Sequence, residues 1–428
     1  MSRPRRLLVL YWHPSSPDTL RNAIRKHLAA LENGTSAHEI LYYNVFTGLP
    51  PEWLKTAGFD AVIFHTLALT QRWQGLFGFR KIQYRWIADL DCVKIAIPQD
   101  EYDHNEVLDE FLYEMGVDVI FTNFDASHRA VLYPIMHRRA EFVECLTGYV
   151  DEDLLSRYRH RVRPIEERPI DIVYRAAHLP YWFGSQGQLK HRIADIVRRA
   201  AVAQGLRCNI STRLEDTITG HQWLDFLASS RAVIGCESGS TCLDRRGEMK
   251  SRITRLLAEK PDLTFEEADR LLPPGWDDHR FLAVSPRHFE AVMTRTCQVL
   301  VKGRYDGILI PEKHYISVEP DFSNLHEVLE RLRDARDLQE MVDRAYDDII
   351  DSGRYTHKGL AIQLEAAIDR LCKPRGSVSH VVSSLLWPLL CHRAGPQATR
   401  TMRLPEDAKA AAPPEEIPLY GPLEVTET

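Results

Sequence analysis

Acidic, basic and nucleophile-activating side chains recur in this sequence directly after short apolar runs. His13 follows the run 7–11, His65 follows 61–64, and Asp100 with Glu101 follows 93–97. A histidine can take a proton from a hydroxyl near neutral pH, and a carboxylate can do so once its pKa is raised. Histidines after strands also serve as packed loop residues, so each position has a structural reading beside the chemical one. A second set is cationic: Arg175 closes the run 170–174, and Lys190 opens a helical stretch at 190–201. At a strand end and a helix N-terminus the two can clamp a diphosphate, the guanidinium by bidentate donation and the ammonium as a compact charge. Lys190 reads equally as the first solvated residue of its helix. The segment GCESGST at 235–241 brings Glu237, two glycines and the hydroxyls of Ser238, Ser240 and Thr241 together. Its backbone N–H groups, Gly239 included, can approach a phosphate or sugar closely, the alternative being an ordinary Gly/Ser turn.

These residues need a frame. Apolar β-prone runs at 7–11, 40–43, 61–64, 93–97, 117–121 and 142–146 alternate with helix-length segments such as 19–32 and 106–115, which predicts a parallel, helix-covered sheet over residues 1–150. Ligands in such sheets gather beyond the carboxyl ends of the strands. Residues 148–169 lose apolar periodicity and gain a dense Arg/Glu mixture with prolines at 164 and 169, marking 151–169 as an exposed linker. A second α/β unit over 170–372 opens with a strand at 170–174, a loop at 176–188 and the helix at 190–201. A further unit follows from 206–210 to a strand ending at Ile234. Residues 245–280 read as a helical insertion, with a helix at 248–259 and another entered through Thr264-x-x-Glu267. Helical periodicity at 325–334, 337–350 and 360–371 closes the unit, leaving 373–428 as an apolar segment followed by a tail of disorder-prone composition.

Residues 285–324, SPRHFEAVMTRTCQVLVKGRYDGILIPEKHYISVEPDFSN, carry a helical pattern with Glu290, a β-rich run at 297–301, a glycine turn, a second apolar run at 308–310 and a polar loop. The order FEA, QVLV, glycine turn, ILIP, HYI, DFSN and an amphipathic helix resembles the C-terminal domain of GT-B glycosyltransferases, and within them the spore-maturation-type group. The resemblance implies two Rossmann-like α/β domains with a cleft between them, and transfer of a sugar from a nucleotide-sugar donor to a glycan, lipid-linked or protein acceptor. It implies Glu290 on the donor ribose, His314 and Tyr315 near the donor, and Ser323 and Asn324 at a helix start facing the phosphates. Arg175 and Lys190 take the diphosphate, although the loop between them is longer than the family's. His13 takes the place of an acceptor-side base, with Asp100 and Glu101 as comparable acceptor-side candidates. Glu237 corresponds to the first member of a glutamate pair normally spaced by eight, yet the residue eight before Glu290 is Leu282. The insertion at 245–280 would separate the two glutamates in sequence and leave both at the cleft. The stereochemical outcome stays open.

At 428 residues the chain exceeds one hydrophobic core, as two domains require. A net charge of −6 argues against nonspecific nucleic-acid binding. The eight cysteines show neither a CxxC nor a paired Cys/His spacing, which points away from zinc and disulfides and toward a reducing cytoplasm. No apolar stretch approaches the roughly 18–20 residues of a membrane span; the run at 379–392 can touch a lipid surface at the inner face of a membrane, or the protein core. Helix N-termini and basic residues can stabilise a leaving diphosphate, so neither metal nor cofactor is expected, the nucleotide sugar being a substrate. The competing classes are a GT-B-like nucleotide-sugar-binding protein without turnover and a two-domain nucleotide-sugar epimerase.

Overall fold

The computed structural model describes residues 5–35, 38–372 and 398–402. The 379–392 run, and the tail apart from 398–402, lie outside the described residues. The apolar runs of the first half form β1 (Arg6–Tyr11), β2 (Glu39–Asn44), β3 (Ala61–Phe64), β4 (Val93–Ala96), β5 (Val119–Thr122) and β6 (Glu141–Glu144). They pair in parallel in the order β2-β1-β3-β4-β5-β6. The central strands β1, β3, β4 and β5 are buried along their whole length. Helices cover both faces of such a sheet, which is why these strands read as continuous apolar runs rather than alternating ones.

The second sheet contains β7 (Ile170–Arg175), β8 (Cys208–Ser211), β9 (Ser230–Gly235), β12 (Cys297–Val301) and β13 (Ile316–Val318), parallel in the order β13-β12-β9-β7-β8. A separate antiparallel pair, β10 (Ser238–Ser240) with β11 (Phe281–Ala283), brackets the insertion. The helices Glu248–Glu259 and Phe265–Asp269 lie within it, the latter behind a capping box at Thr264 and Glu267. The molecule is thus α/β with two Rossmann-like domains. In each sheet the strand order reverses once, between β1 and β3 and between β7 and β9, and the crevice for a ligand opens at such a switch point. His13 and His65 follow the first pair, Arg175 and Glu237 the second.

The carboxyl ends of the two sheets face each other. After β4, Tyr102 and His104 pair through their backbones with Asp244 of the insertion (2.9 and 2.6 Å). Phe281 stacks on Tyr102 with ring centroids 5.9 Å apart, Arg304 after β12 meets Asp125 after β5 at 2.9 Å, and Thr147 Oγ1 donates to the Val284 carbonyl at 2.9 Å. The helix His357–Leu371 crosses back to the first domain and buries Leu360, Leu364 and Ile368 against Leu7, Val9 and Tyr42. A short strand, β14 (Ala398–Thr399), adds antiparallel to β2.

Three local expectations change. The apolar run 308–310 does not join the sheet: Ile308 and Leu309 pack with Tyr305 and Tyr315, Ile310 is exposed, and the edge strand is β13. The segment 176–188 is loop only to residue 180, since a 3-10 turn at Tyr181–Phe183 leads into the helix Gly184–Ala203. The linker is not simply solvated: it holds the helix Glu152–Tyr158 and the buried Arg168. The Arg168 guanidinium donates to the carbonyls of Arg163, Ser230 and Thr294 and to Thr296 Oγ1, at 2.8–3.2 Å. Burial lowers its pKa to about 10, still well above neutrality. Arg168 therefore fastens the linker to the start of β9 and to the turn before β12. Replacing it with alanine strands several buried carbonyls, and Arg168→Ala is expected to lose about 3 kcal/mol in urea-unfolding measurements.

Candidate active site

The acceptor-side loops are pinned by side-chain amides and a buried arginine. Asn44 at the end of β2 accepts from the His13 N–H (3.0 Å) and donates to the His13 carbonyl (2.7 Å). The His13 ring meets Thr19 Oγ1 at 2.7 Å through Nε2, and that hydroxyl itself donates to the Ser16 carbonyl. The proton between them therefore sits on Nε2 and leaves the lone pair on Nδ1. Burial lowers the His13 pKa, which favours this neutral form. Arg72, buried and invisible to sequence reasoning, donates to the carbonyls of Leu69, Gln99, Asp100 and Asp103 and thereby holds the loop after β4. In that loop Asp100 adopts a left-handed backbone (φ 47°) and accepts from the Tyr102 hydroxyl at 2.7 Å.

Glu101 does not face the cleft. Its side chain is completely buried and its carboxyl accepts from Thr122 Oγ1 (2.6 Å), the Asn123 N–H (2.7 Å) and the Tyr133 hydroxyl. Burial raises its pKa to about 7 against these hydrogen bonds. An acceptor has no access to it, so its place is structural, joining the ends of β4 and β5. His65 is likewise engaged: Nδ1 accepts from the Leu67 N–H, and Nε2 meets His27 Nδ1 at 2.9 Å.

On the donor side the expected clamp is redistributed. Arg175 turns along the sheet edge, where its guanidinium donates to the carbonyls of Tyr174, Asn209 and Asp216 and to Asn209 Oδ1, and lies over the Phe226 ring at 4.6 Å. Four of its five N–H donors are engaged within the domain, three by backbone carbonyls, so it does not point a fork at a diphosphate. Lys190 lies in the second turn of the helix Gly184–Ala203, not at its start, and donates to Ser238 Oγ at 3.3 Å. Among the described residues it has no carboxylate within ion-pair distance. Burial lowers its pKa; Cys236 and Asp100 oppose that shift and the Arg287 charge adds to it. Arg287, which the sequence reading passed over, stands exposed on the helix Pro286–Met293, stacks on Trp223 at 5.0 Å and donates to the Arg175 carbonyl. Its signal in the sequence was only its place beside the FEA segment.

Glu290 is on the same helix, half-buried, and accepts from Trp223 Nε1 at 2.8 Å. Burial raises its pKa while Trp223 and Arg287 hold the shift down. Between Glu290 and the β9 loop stands His288, whose Nδ1 accepts from the Ser285 N–H and whose ring also bonds the Cys236 backbone. Glu237 caps the turn after β12 by accepting from the Tyr305 N–H at 2.8 Å, and a Cβ at Gly303 would collide with its carboxylate. Burial raises the Glu237 pKa as well. His288 thus ties the strand end carrying Glu237 to the helix carrying Glu290, despite the 245–280 insertion between them.

The loop 238–241 is not a free phosphate cradle. Ser238–Ser240 is strand β10, and Gly239 (φ 122°) lies against the Phe281 carbonyl where no side chain fits. Ser240 Oγ bonds the Phe183 and Cys242 backbone, and Thr241 Oγ1 donates to Asp277. Farther along, His314 pairs with Asp348 (2.9 Å) and Tyr315 is fully buried edge-on to Tyr305. Asn324 spends both amide functions on Glu319 N–H and the Ser317 carbonyl, and the Ser323 N–H donates to Asp321. These four secure the β13 edge rather than line the site. The residues the structure brings together are Lys190, Glu237, Ser238, Arg287 and Glu290, with Asp100 of the other domain in electrostatic reach of Lys190; His13 stands after β1, engaged with Asn44 and Thr19.

No family profile matches the chain, and no curated protein matches it. Solved structures similar to it include Anabaena Alr3699/HepE in complex with UDP-glucose, at 11% identity and TM-score 0.44, covering 86% of this chain and 100% of that one. AviGT4, a glycosyltransferase involved in avilamycin A biosynthesis, matches at 12% identity and TM-score 0.42 over 86% of this chain and 98% of that chain. The sucrose-phosphate synthase of Thermosynechococcus elongatus matches at 11% and 0.43 over 86% and 99%.

The buried carboxyl of Glu101 makes a pH prediction. Its pKa is raised on folding, so its stabilising contribution is complete below the ordinary carboxyl pKa and is lost as pH rises through about 7. Glu101→Gln removes that titration. Relative to the parent, the variant is expected to gain up to about 3 kcal/mol between pH 4 and pH 8 in denaturant titrations, and a pH-independent difference would place the Glu101 carboxyl in a solvated environment.

Proposed function

We propose that the chain is a glycosyltransferase of GT-B type that binds a nucleotide-sugar donor on its second domain. The observation that carries this reading is a pair of cations, Lys190 and Arg287, that close no ion pair among the described residues and stand by Glu290, whose pKa Arg287 lowers, at the carboxyl ends of β7 and β9. Lys190 is half-buried and its pKa is lowered by burial, so an anion beside it would restore its charged form, and a diphosphate held between it and the exposed Arg287 supplies one. Glu290, already oriented by Trp223, can accept from ribose hydroxyls, which fits its role in the resemblance. The finer likeness to spore-maturation-type enzymes rests on residues 285–324 alone.

In this reading the leaving diphosphate is stabilised by Lys190 and Arg287, and His13, neutral with its lone pair on Nδ1, takes the acceptor proton. The steps need no metal, and transfer is expected to survive chelation by EDTA. A retaining course would make His13 an acceptor-binding group instead of a base.

A thermal-shift screen against UDP-, GDP-, dTDP- and CMP-sugars tests the reading, because a ligand of the native state raises Tm. Lys190→Ala and Arg287→Ala should weaken nucleoside diphosphates while sparing the nucleosides. Glu290→Ala should cost about 1.5–3 kcal/mol toward both, since it loses a charge-assisted hydrogen bond to ribose. No stabilisation by any nucleotide sugar would remove the proposal, and binding without donor hydrolysis or transfer would leave a nucleotide-sugar-binding protein.

A further inference from the structure

Residues 70–86, TQRWQGLFGFRKIQYRW, carry four cations and no acidic residue in a chain whose net charge is −6. One side of this segment belongs to the core: Phe77, Tyr84 and Ile87 pack with Phe64 and Phe111. The other side is bare. Leu76, Phe79 and Ile82 recur at every third residue across successive helical turns, and with Phe46 and Leu49 of the β2 loop they stand 48–76% exposed. A Cβ added at Gly48, Gly75 or Gly78 would meet no atom, so nothing in the described chain covers this face. The two segments are one surface because Trp12 contacts both, edge-on to Phe46 at 5.4 Å and beneath the Arg80 guanidinium at 5.5 Å.

A cluster of exposed aromatic and aliphatic side chains marks an interaction site when isolated ones do not. The accompanying charges select the partner. Arg80, Lys81 and Arg85 flank the apolar stripe: Arg80 donates to the side-chain carbonyls of Gln71 and Gln74, Lys81 reaches Glu114 at 2.9 Å, and Arg85 is exposed, while Arg72 is turned inward onto backbone carbonyls. Cations beside Leu and Phe side chains on a short surface helix suit an interface in which the apolar groups enter the acyl boundary and the cations meet lipid phosphates. Within residues 70–86 every charge is positive, and Arg85 forms no ion pair among the described residues, which suits lipid phosphates.

We propose that this face, built from the β2 loop and residues 76–85, docks the protein on an anionic lipid bilayer. The proposal stands apart from sugar transfer, since it needs no turnover. Trp12 is the neighbour of His13, so docking would set the acceptor-side loop at the bilayer surface.

Co-sedimentation of the full chain with vesicles tests it, comparing phosphatidylcholine alone with phosphatidylcholine plus phosphatidylserine. The parent should sediment with the anionic vesicles and remain free of the neutral ones. The paired exposed substitutions Leu76→Ser and Phe79→Ser should abolish binding without lowering Tm, and Arg85→Gln should weaken it about fivefold, the effect of one surface cation. Undiminished vesicle binding by the Ser/Ser variant would overturn the assignment of this face. Failure of the parent to bind would overturn membrane docking altogether, as would a parent dimer in sedimentation velocity that the Ser/Ser variant cannot form, because the face would then be a protein contact.

Discussion

The facing of the two sheets depends on a clasp centred on Asp244. Its backbone joins Tyr102 and His104 of the first domain, while its buried carboxylate accepts from the N–H groups of Gly247 (2.9 Å), Met249 (3.2 Å) and Lys250 (2.9 Å). One residue therefore starts the insertion's main helix and fastens that helix's base to the other domain. The ion pairs around it, Arg245 and Arg246 with Glu106 and Glu110, are largely exposed and contribute little by themselves. The backbone bonds and the packing of Phe281 against Tyr102, Phe124 and His128 hold the arrangement. The insertion, which interrupts the spacing of the two glutamates, is the same segment that sets the distance across the cleft.

That constraint explains the electrostatic character of the site. Burial raises the pKa of Glu237 and Glu290 and lowers that of Lys190, so each group is pushed toward its neutral form. Elsewhere burial shifts pKa values too, but several hydrogen bonds within the chain compensate the group: Arg72 and Arg168 donate mainly to backbone carbonyls, Asp171 is bonded to Arg207, and Glu101 accepts from Thr122, Asn123 and Tyr133. Charged groups left incompletely compensated cluster where binding must later compensate them. The contrast lies in the hydrogen bonds rather than in the shifts: Arg168 makes four and Glu101 three, whereas the Lys190 ammonium donates to Ser238 and the Glu290 carboxyl accepts from Trp223.

Strand positions were legible because strands buried on both faces must be continuously apolar, as β1 and β3 are. The short edge strand β13 escaped because its burial pattern alternates and the more apolar run at 308–310 packs without pairing. Side-chain direction was the other blind spot. Arg175 was placed correctly at its strand end, yet an arginine there has two competing sets of acceptors, a ligand's oxygens or the peptide carbonyls of the neighbouring strand, and spacing cannot choose between them. Glu101 failed for a related reason: the residue after Asp100 lies on the inner side of a left-handed turn, and only the fold reveals that Thr122, Asn123 and Tyr133 await it. Arg287 lay beside the most informative segment, but its value depends on Trp223, more than sixty residues earlier in the chain.

The first domain divides its surfaces between two tasks through a single loop. Trp12 lies under Arg80 on the apolar face, while His13 turns inward to Asn44 and Thr19. Adjacent residues of extended backbone point to opposite sides, so one dipeptide can belong to a docking surface and to a site at once. The coupling is mechanical as well as geometric. The Arg80–Trp12 cation–ring contact joins the 76–83 turns to Trp12, whereas the paired hydrogen bonds with Asn44 hold the His13 backbone on both sides. The inward residue is therefore buffered from the outward one, which allows a surface that accommodates an irregular partner to adjoin a site that requires fixed geometry.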